Sequence, residues 1–98
     1  MNYQTNCVYI LTNKNNTVLY TGVTSNLVQR LYQHRTASNR DFAFRYKAFK
    51  LVYFECEGDI LSTIGRAKQI KAGSRAKKVA LINSINPEWR DLSEDFFL

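Results

Sequence analysis

Two phenols, a guanidinium and an imidazole stand at spacings that suit work on a phosphate. Tyr9 and Tyr20 sit in the short apolar runs Val8-Tyr9-Ile10 and Tyr20-Thr21-Gly22, and Arg30 and His34 follow at an i,i+4 interval. Hydrolysing a phosphodiester needs an activated water, charge stabilisation at phosphorus and help for the departing oxygen. A phenol is a poor base at neutral pH, its ordinary pKa being about 10, but nearby positive charge favours the phenolate. Tyr9 or Tyr20 could then take a proton from water, directly or through the other tyrosine. Arg30 offers a planar, permanently charged fork that matches phosphate oxygens. His34 could hydrogen-bond the phosphate or share in proton transfer. The same residues have plainer uses: tyrosines on a hairpin pack across strands, and an Arg and a His four apart are ordinarily surface neighbours. Order and spacing together carry the catalytic reading.

Local signals define the elements that must position these groups. Cys7 to Thr12 and Val18 to Thr21 are rich in strand formers, with the turn cluster Asn13-Lys14-Asn15-Asn16 between them, which predicts a hairpin. Gly22 allows a sharp exit or a close backbone approach. Thr24 or Ser25 is expected to cap a helix beginning near Asn26. In that helix Leu27 and Leu31 face the sheet, and Arg30 and His34 share an adjoining face. Leu51 to Glu55 reads as a third strand. Asp59 is expected to cap a second helix that runs to Ala72 and stops at Gly73; Ile60, Ile64 and Ala67 form its inward stripe. Ser74 caps a third helix through about Ile85, with Val79, Ala80, Leu81 and Ile82 as its apolar residues, and Asn86-Pro87 ends it. Thr36 to Lys50 mixes bases with Phe42, Phe44, Tyr46 and Phe49 and shows no clean period. Strand, strand, helix, strand, helix, helix predicts an α+β fold, a small sheet covered by helices.

Ninety-eight residues make one domain, 1–98, with a single modest core. The formal charge is +6, and Arg66 to Lys78 holds six bases with no acid. A basic body with acids gathered toward its end favours a polyanion partner. Arg35, Arg45, Lys68, Lys71 and Arg75 are the candidate phosphate contacts. Tyr32, Phe42, Phe44, Tyr46 and Phe49 interleave with bases, and unpaired bases stack on exposed rings, so a nucleic acid is the expected partner and single strands the favoured form. No helix is shaped to read a major groove. Cys7 and Cys56 have no Cys-x-x-Cys spacing and read as buried free thiols. With His34 the only histidine, a zinc site is rejected. The first residues lack signal-peptide character and no long apolar stretch follows, so a cytoplasmic protein with no membrane partner is expected. Its oligomeric state is open.

The order of these pieces resembles the GIY-YIG nuclease superfamily, whose name-giving triplets match here as Val8-Tyr9-Ile10 and Tyr20-Thr21-Gly22. Leu51-Val52-Tyr53-Phe54-Glu55, Arg66-Ala67-Lys68-Gln69-Ile70-Lys71 and Asn86-Pro87-Glu88-Trp89 are similar to the small stand-alone bacterial branch. The resemblance implies a mainly antiparallel sheet of about three strands and a metal-dependent DNA endonuclease. In that family one glutamate on the second helix holds a hydrated divalent metal, usually magnesium, against the scissile phosphate. Such an ion keeps several waters and stabilises the leaving oxygen, so one carboxylate can anchor it. Ala67 stands at that glutamate's position, and a side chain there is expected to project beside the tyrosines. The active form should therefore use Mg2+ or Mn2+, this chain should bind neither, and its nuclease should be disabled by a Glu→Ala change at 67. The alternative is a non-catalytic nucleic-acid-binding module on the same scaffold. An RNA-processing or protein-interaction role has only the positive charge behind it.

Overall fold

The computed structural model describes residues 6–36 and 47–95, with the side chains of residues 34–36 excepted. β1 (Asn6–Thr12), β2 (Leu19–Thr24) and β3 (Lys50–Glu57) form an antiparallel sheet in the order β2-β1-β3. α1 (Leu27–Thr36) follows β2, and α2 (Ile60–Ala72) and α3 (Arg75–Ile85) follow β3, with a short 3-10 turn at Leu92–Asp95. This is the α+β arrangement expected from the order of elements.

β1 is the central strand, and every residue from Cys7 to Thr12 is buried. Its side chains alternate between two separate cores. Cys7, Tyr9 and Leu11 pack with Leu27 and Leu31 of α1, Ala48 and Leu51. Val8 and Ile10 pack with Ala67 and Ile70 of α2 and Ile82 of α3. Helices thus cover both faces, which is why β1 reads as a continuous apolar run rather than an alternating one. The β1–β3 register slips between Ile10 and Leu11, where Tyr53 pairs with Ile10 but Leu51 pairs with Leu11. The extra residue of this bulge breaks the two-residue period. Leu51 and Phe54 consequently share the α1 face, while Val52 and Tyr53 both join the other.

Local polar chemistry fixes the joints. Asn13 Oδ1 accepts from the Thr17 and Val18 N–H groups at 2.8 and 3.1 Å, which closes the hairpin turn. Asp59 caps α2 and Ser74 caps α3 through their side-chain oxygens, as the sequence predicts. At α1 the cap is Asn26, whose Oδ1 accepts from the Gln29 N–H at 3.1 Å. Thr24, an expected cap, instead accepts the Asn26 N–H at 3.0 Å and shapes the turn before the helix. The exposed edge of β3 is managed by the chain's last described segment. Asn86 Nδ2 donates to the Val52 carbonyl at 3.1 Å, and Asp91 Oδ1 accepts the Leu51 N–H at 3.1 Å.

Some expectations are corrected. Cys7 and Cys56 are not free thiols: they are directly paired across β1 and β3 and form a disulfide, with an S–S distance of 2.06 Å. Facing positions of an antiparallel pair bring Cβ atoms within about 5 Å of each other, and no local spacing reveals that pairing. In α2 the inward stripe is Thr63, Ala67 and Ile70, whereas Ile60 and Ile64 are exposed. In α3 only Ile82 is fully buried; Val79 and Leu81 are half-buried and Ala80 is exposed. Phe42, Phe44, Arg45 and Tyr46 lie outside the described residues. No helix among the described residues is long and apolar enough to cross a membrane.

Candidate functional site

Register brings the two name-giving tyrosines together. Tyr9 pairs with Gly22 and Tyr20 pairs with Leu11, so alternation puts both phenols on the face that α1 covers. Their ring centroids are 6.3 Å apart, with planes inclined at 51°. Tyr9 is fully buried, whereas Tyr20 is half-buried and reaches the surface. Gly22 is required by close approach: a Cβ there would collide with the hydroxyl end of the Tyr9 ring. The Tyr-x-Gly motif therefore pairs one phenol with the gap that admits the other.

α1 contributes the guanidinium. Leu27 and Leu31 anchor the helix against Tyr9 and Leu11, and Arg30, one residue before Leu31, is half-buried at the margin of that core. Its Nη1 meets Gln33 Oε1 at 3.5 Å, while its Nε is shielded from solvent and has no acceptor among the described residues. An unmet buried donor costs about 1–3 kcal/mol, a demand that a phosphate oxygen would satisfy. His34 and Arg35 belong to the last turns of α1, but their side chains lie outside what is described, as does Arg45.

Position 67 does not join this group. Ala67 is buried with Val8, Ile10, Val52, Tyr53, Ile70 and Ile82, on the sheet face away from Tyr9 and Tyr20. The expectation that a side chain at 67 projects beside the tyrosines is corrected here. Even-numbered β1 residues carry α2, and odd-numbered ones carry the phenols.

Glu55, which pairs with Val8 on the Ala67 side of the sheet, is already engaged. Arg66 Nε and Nη2 donate to its Oε1 and Oε2 at 2.7 and 3.3 Å, and the Tyr53 hydroxyl donates to Oε2. Burial pushes the Glu55 carboxyl up, but the hydrogen bonds from Arg66 and Tyr53 and the Arg66 charge together hold it below its ordinary value. Burial, then the bond and charge of Glu55, push the Tyr53 phenol up. Arg66 also donates through Nη1 to Gln69 Oε1 at 2.7 Å, so each of its three nitrogens is engaged. This cluster escaped the sequence reading. Its signal was Tyr53 and Glu55 at i,i+2 on one strand facing a helix with Arg66.

Among the described residues no group of three His, Cys, Asp or Glu side chains comes together to hold a metal. A hard divalent cation needs at least one carboxylate oxygen as its anchor. Two phenols and a guanidinium do not supply one, so the residues present do not fit the divalent metal that the resemblance implies.

The remaining candidate bases divide. Lys68 and Lys71 are exposed on α2. Arg75 is committed elsewhere: its Nη1 and Nη2 donate to the carbonyls of Thr17 and Asn16 at 3.2 and 2.9 Å. It pins the start of α3 to the β1–β2 turn, which leaves those donors unavailable to a phosphate.

The chain matches the family model of the GIY-YIG catalytic domain over residues 5–79. A UPF0213 protein of Syntrophus aciditrophicus (strain SB) is 38% identical over 84 residues, covering 85% of this chain and 94% of that protein. The solution NMR structure of the UPF0213 protein BH0048 from Bacillus halodurans agrees at a TM-score of 0.58, covering 92% of this chain and 95% of that one. At 22% identity this second likeness speaks to the fold alone. Since the match begins before β1 and runs into α3, taking in both tyrosine triplets and the helix between them and β3, the chain belongs to the GIY-YIG family.

Proposed function

We propose that this chain engages the phosphate backbone of DNA through Tyr20, Tyr9 and Arg30, and that, because these groups supply no carboxylate and position 67 is an alanine on the opposite face, it lacks the metal anchor needed to cut. The observation that carries the reading is the tyrosine pair on the sheet face that α1 covers, with Arg30 half-buried on that helix and its Nε without an acceptor among the described residues. Tyr20, the phenol that reaches the surface, meets the phosphate; Tyr9, sealed beneath it, sets its position and completes the proton path. Arg30 holds the phosphate oxygens, with His34 next along the helix. Lys68 and Lys71, exposed on α2, add positive charge that attracts the strand, and by charge alone Arg35 and Arg45 join the proposed phosphate contacts. The same reading takes the family's ion to be Mg2+ or Mn2+, the domain to be the whole of 1–98, the preferred DNA to be single-stranded or distorted, and the location to be cytoplasmic.

The test compares the chain with Ala67→Glu and with Ala67→Glu/Arg30→Ala, using labelled DNA with magnesium or manganese. Circular dichroism first establishes that each variant is folded, because position 67 is only 3% exposed and a buried charge without a partner is costly. Neither variant should cut, because a carboxylate at 67 lies across the sheet from the tyrosines and Arg30. Cutting by Ala67→Glu that falls by about two powers of ten when Arg30 is also removed, the scale for losing a preorganised charge-stabilising donor, would instead restore the disabled-nuclease reading and overturn this placement of position 67. A folded Ala67→Glu protein that cuts no DNA leaves a module that only binds. Unchanged DNA affinity after Arg30→Ala would remove the tyrosine face from the reading altogether.

A further inference from the structure

α2 and α3 enclose a cleft of about 420 Å³ on the side of the sheet away from the tyrosines. This falls in the size range of small-molecule sites. Ile70 and Leu81 form its apolar floor, and Lys77, Lys78, Gln69 and Arg66 stand around it. Ile70 is buried and Leu81 half-buried, so the floor is held by the core rather than by mobile surface side chains.

The charges around the cleft are unequal. Arg66 is neutralised by Glu55, but neither Lys77 nor Lys78 has an ion-pair partner among the described residues. No acid occurs between Asp59 and Glu88, so α2, α3 and the turn joining them present cations alone. Gln69 uses its Oε1 to accept from Arg66, which fixes the amide plane and leaves its two N–H donors for another group.

We infer that this cleft binds a nucleotide unit, with its phosphate on Lys77 and Lys78 and its base on Ile70 and Leu81. The chemistry of the lining selects that class. Two unpaired ammonium groups attract a compact anion, the apolar floor takes the flat face of a base, and an oriented amide donor meets a carbonyl on the base edge. A fatty acid has no use for the amide donor, and inorganic phosphate has none for the floor. The site stands apart from Tyr9, Tyr20 and Arg30, so it survives or fails independently of the proposed phosphate site on the other face.

The experiment is an amide NMR titration of the intact chain with thymidine monophosphate, thymidine, inorganic phosphate and a short thymidine oligonucleotide. Thymidine monophosphate should shift the amides of 69–73 and 77–81 and bind at least about tenfold more tightly than thymidine or phosphate, a difference of about 1.4 kcal/mol. Lys77→Glu/Lys78→Glu should abolish those shifts, and Gln69→Ala, at an exposed position, should weaken them without disturbing the fold. Tyr20→Phe and Arg30→Ala should leave them intact. If only the oligonucleotide shifts these amides, the unit belongs to a strand; if the monophosphate does so equally well, the free nucleotide suffices. No shift of these amides with either millimolar monophosphate or the oligonucleotide overturns the inference, as does a response that persists in both lysine and glutamine variants or one confined to α1 and the tyrosine strands.

Discussion

Glu55 shows how a side chain two residues along a strand from a phenol acquires a pH-dependent role. Its carboxyl is held below the ordinary range by the hydrogen bonds and charge of Arg66 and the hydrogen bond of Tyr53, in spite of burial. A group whose folded pKa is depressed contributes stability above its unfolded value, about 4.3 for a glutamate. That contribution is lost as pH falls through the lower folded value. Glu55→Gln should therefore destabilise the protein at neutral pH, by no more than about 1 kcal/mol because the pair is partly exposed. It should also flatten the loss of stability on acidification below about pH 4. Urea melts of both proteins at pH 7 and pH 3 check this; parallel losses in the two would remove Glu55 from the acid response. Arg75 carries the complementary lesson. Its charge drew it into a list of phosphate contacts, yet its geometry makes it a clasp between α3 and the hairpin turn.

Among the elements, β3 is held from both sides. The disulfide joins it to β1 across 49 residues of chain, and Asn86 and Asp91 satisfy backbone groups on its outer edge. By the loop-entropy rule a bridge closing that many residues contributes up to about 4 kcal/mol. The oxidised protein should show no alkylatable thiol until it is reduced, and reduction should lower Tm by at least several degrees at this chain length. Two thiols that react in the untreated folded protein, or an unchanged Tm after reduction, would sink the expectation. Given the cytoplasmic location proposed above, the pair should be found as thiols in cells and as the disulfide after aerobic handling, because cytosolic reductants keep such pairs open. Asp59 and Ser74 were legible as caps because each is a lone capping residue three positions before the N–H it accepts. At α1, Thr24, Ser25 and Asn26 compete in a row, and the choice was made by which side chain the preceding turn had already used.

For the molecule as a whole, the proposed function asks how a body with a charge of +6 would engage DNA with no separate recognition domain among the described residues. Phosphate charge alone favours the duplex, which carries the denser charge and the steeper salt slope per contact. Stacking on exposed rings adds about 1–3 kcal/mol per unpaired base and is denied to a duplex. Tyr32 is 60% exposed on α1, the helix that carries Arg30. The chain should therefore bind a single-stranded oligonucleotide more tightly than the matching duplex at one fixed salt concentration, and Tyr32→Ala should narrow the gap. Fluorescence anisotropy over a salt series measures both effects. A duplex that binds as tightly as the single strand, or more tightly, at every salt would mean that charge is all that is read.

The sequence alone determined what is local. Strand-forming runs, an asparagine-rich turn, two caps and the Tyr-x-Gly spacing are set within a few residues of one another, and they suffice for the order of elements, the α+β fold and the family. Tertiary structure decided which residues meet. The Cys7–Cys56 bridge, the Arg66–Glu55 pair and the clasp of Arg75 on Asn16 and Thr17 join positions separated by 49, 11, 59 and 58 residues, beyond any local pattern. The face assigned to Ala67 and the stripe it shares with Thr63 and Ile70 depended on which side of β1 each helix packs, and β1 is apolar on both. Its six buried residues offered no polar side to mark the outside, so only the packing of α1 against one face and of α2 and α3 against the other could separate the phenols from position 67.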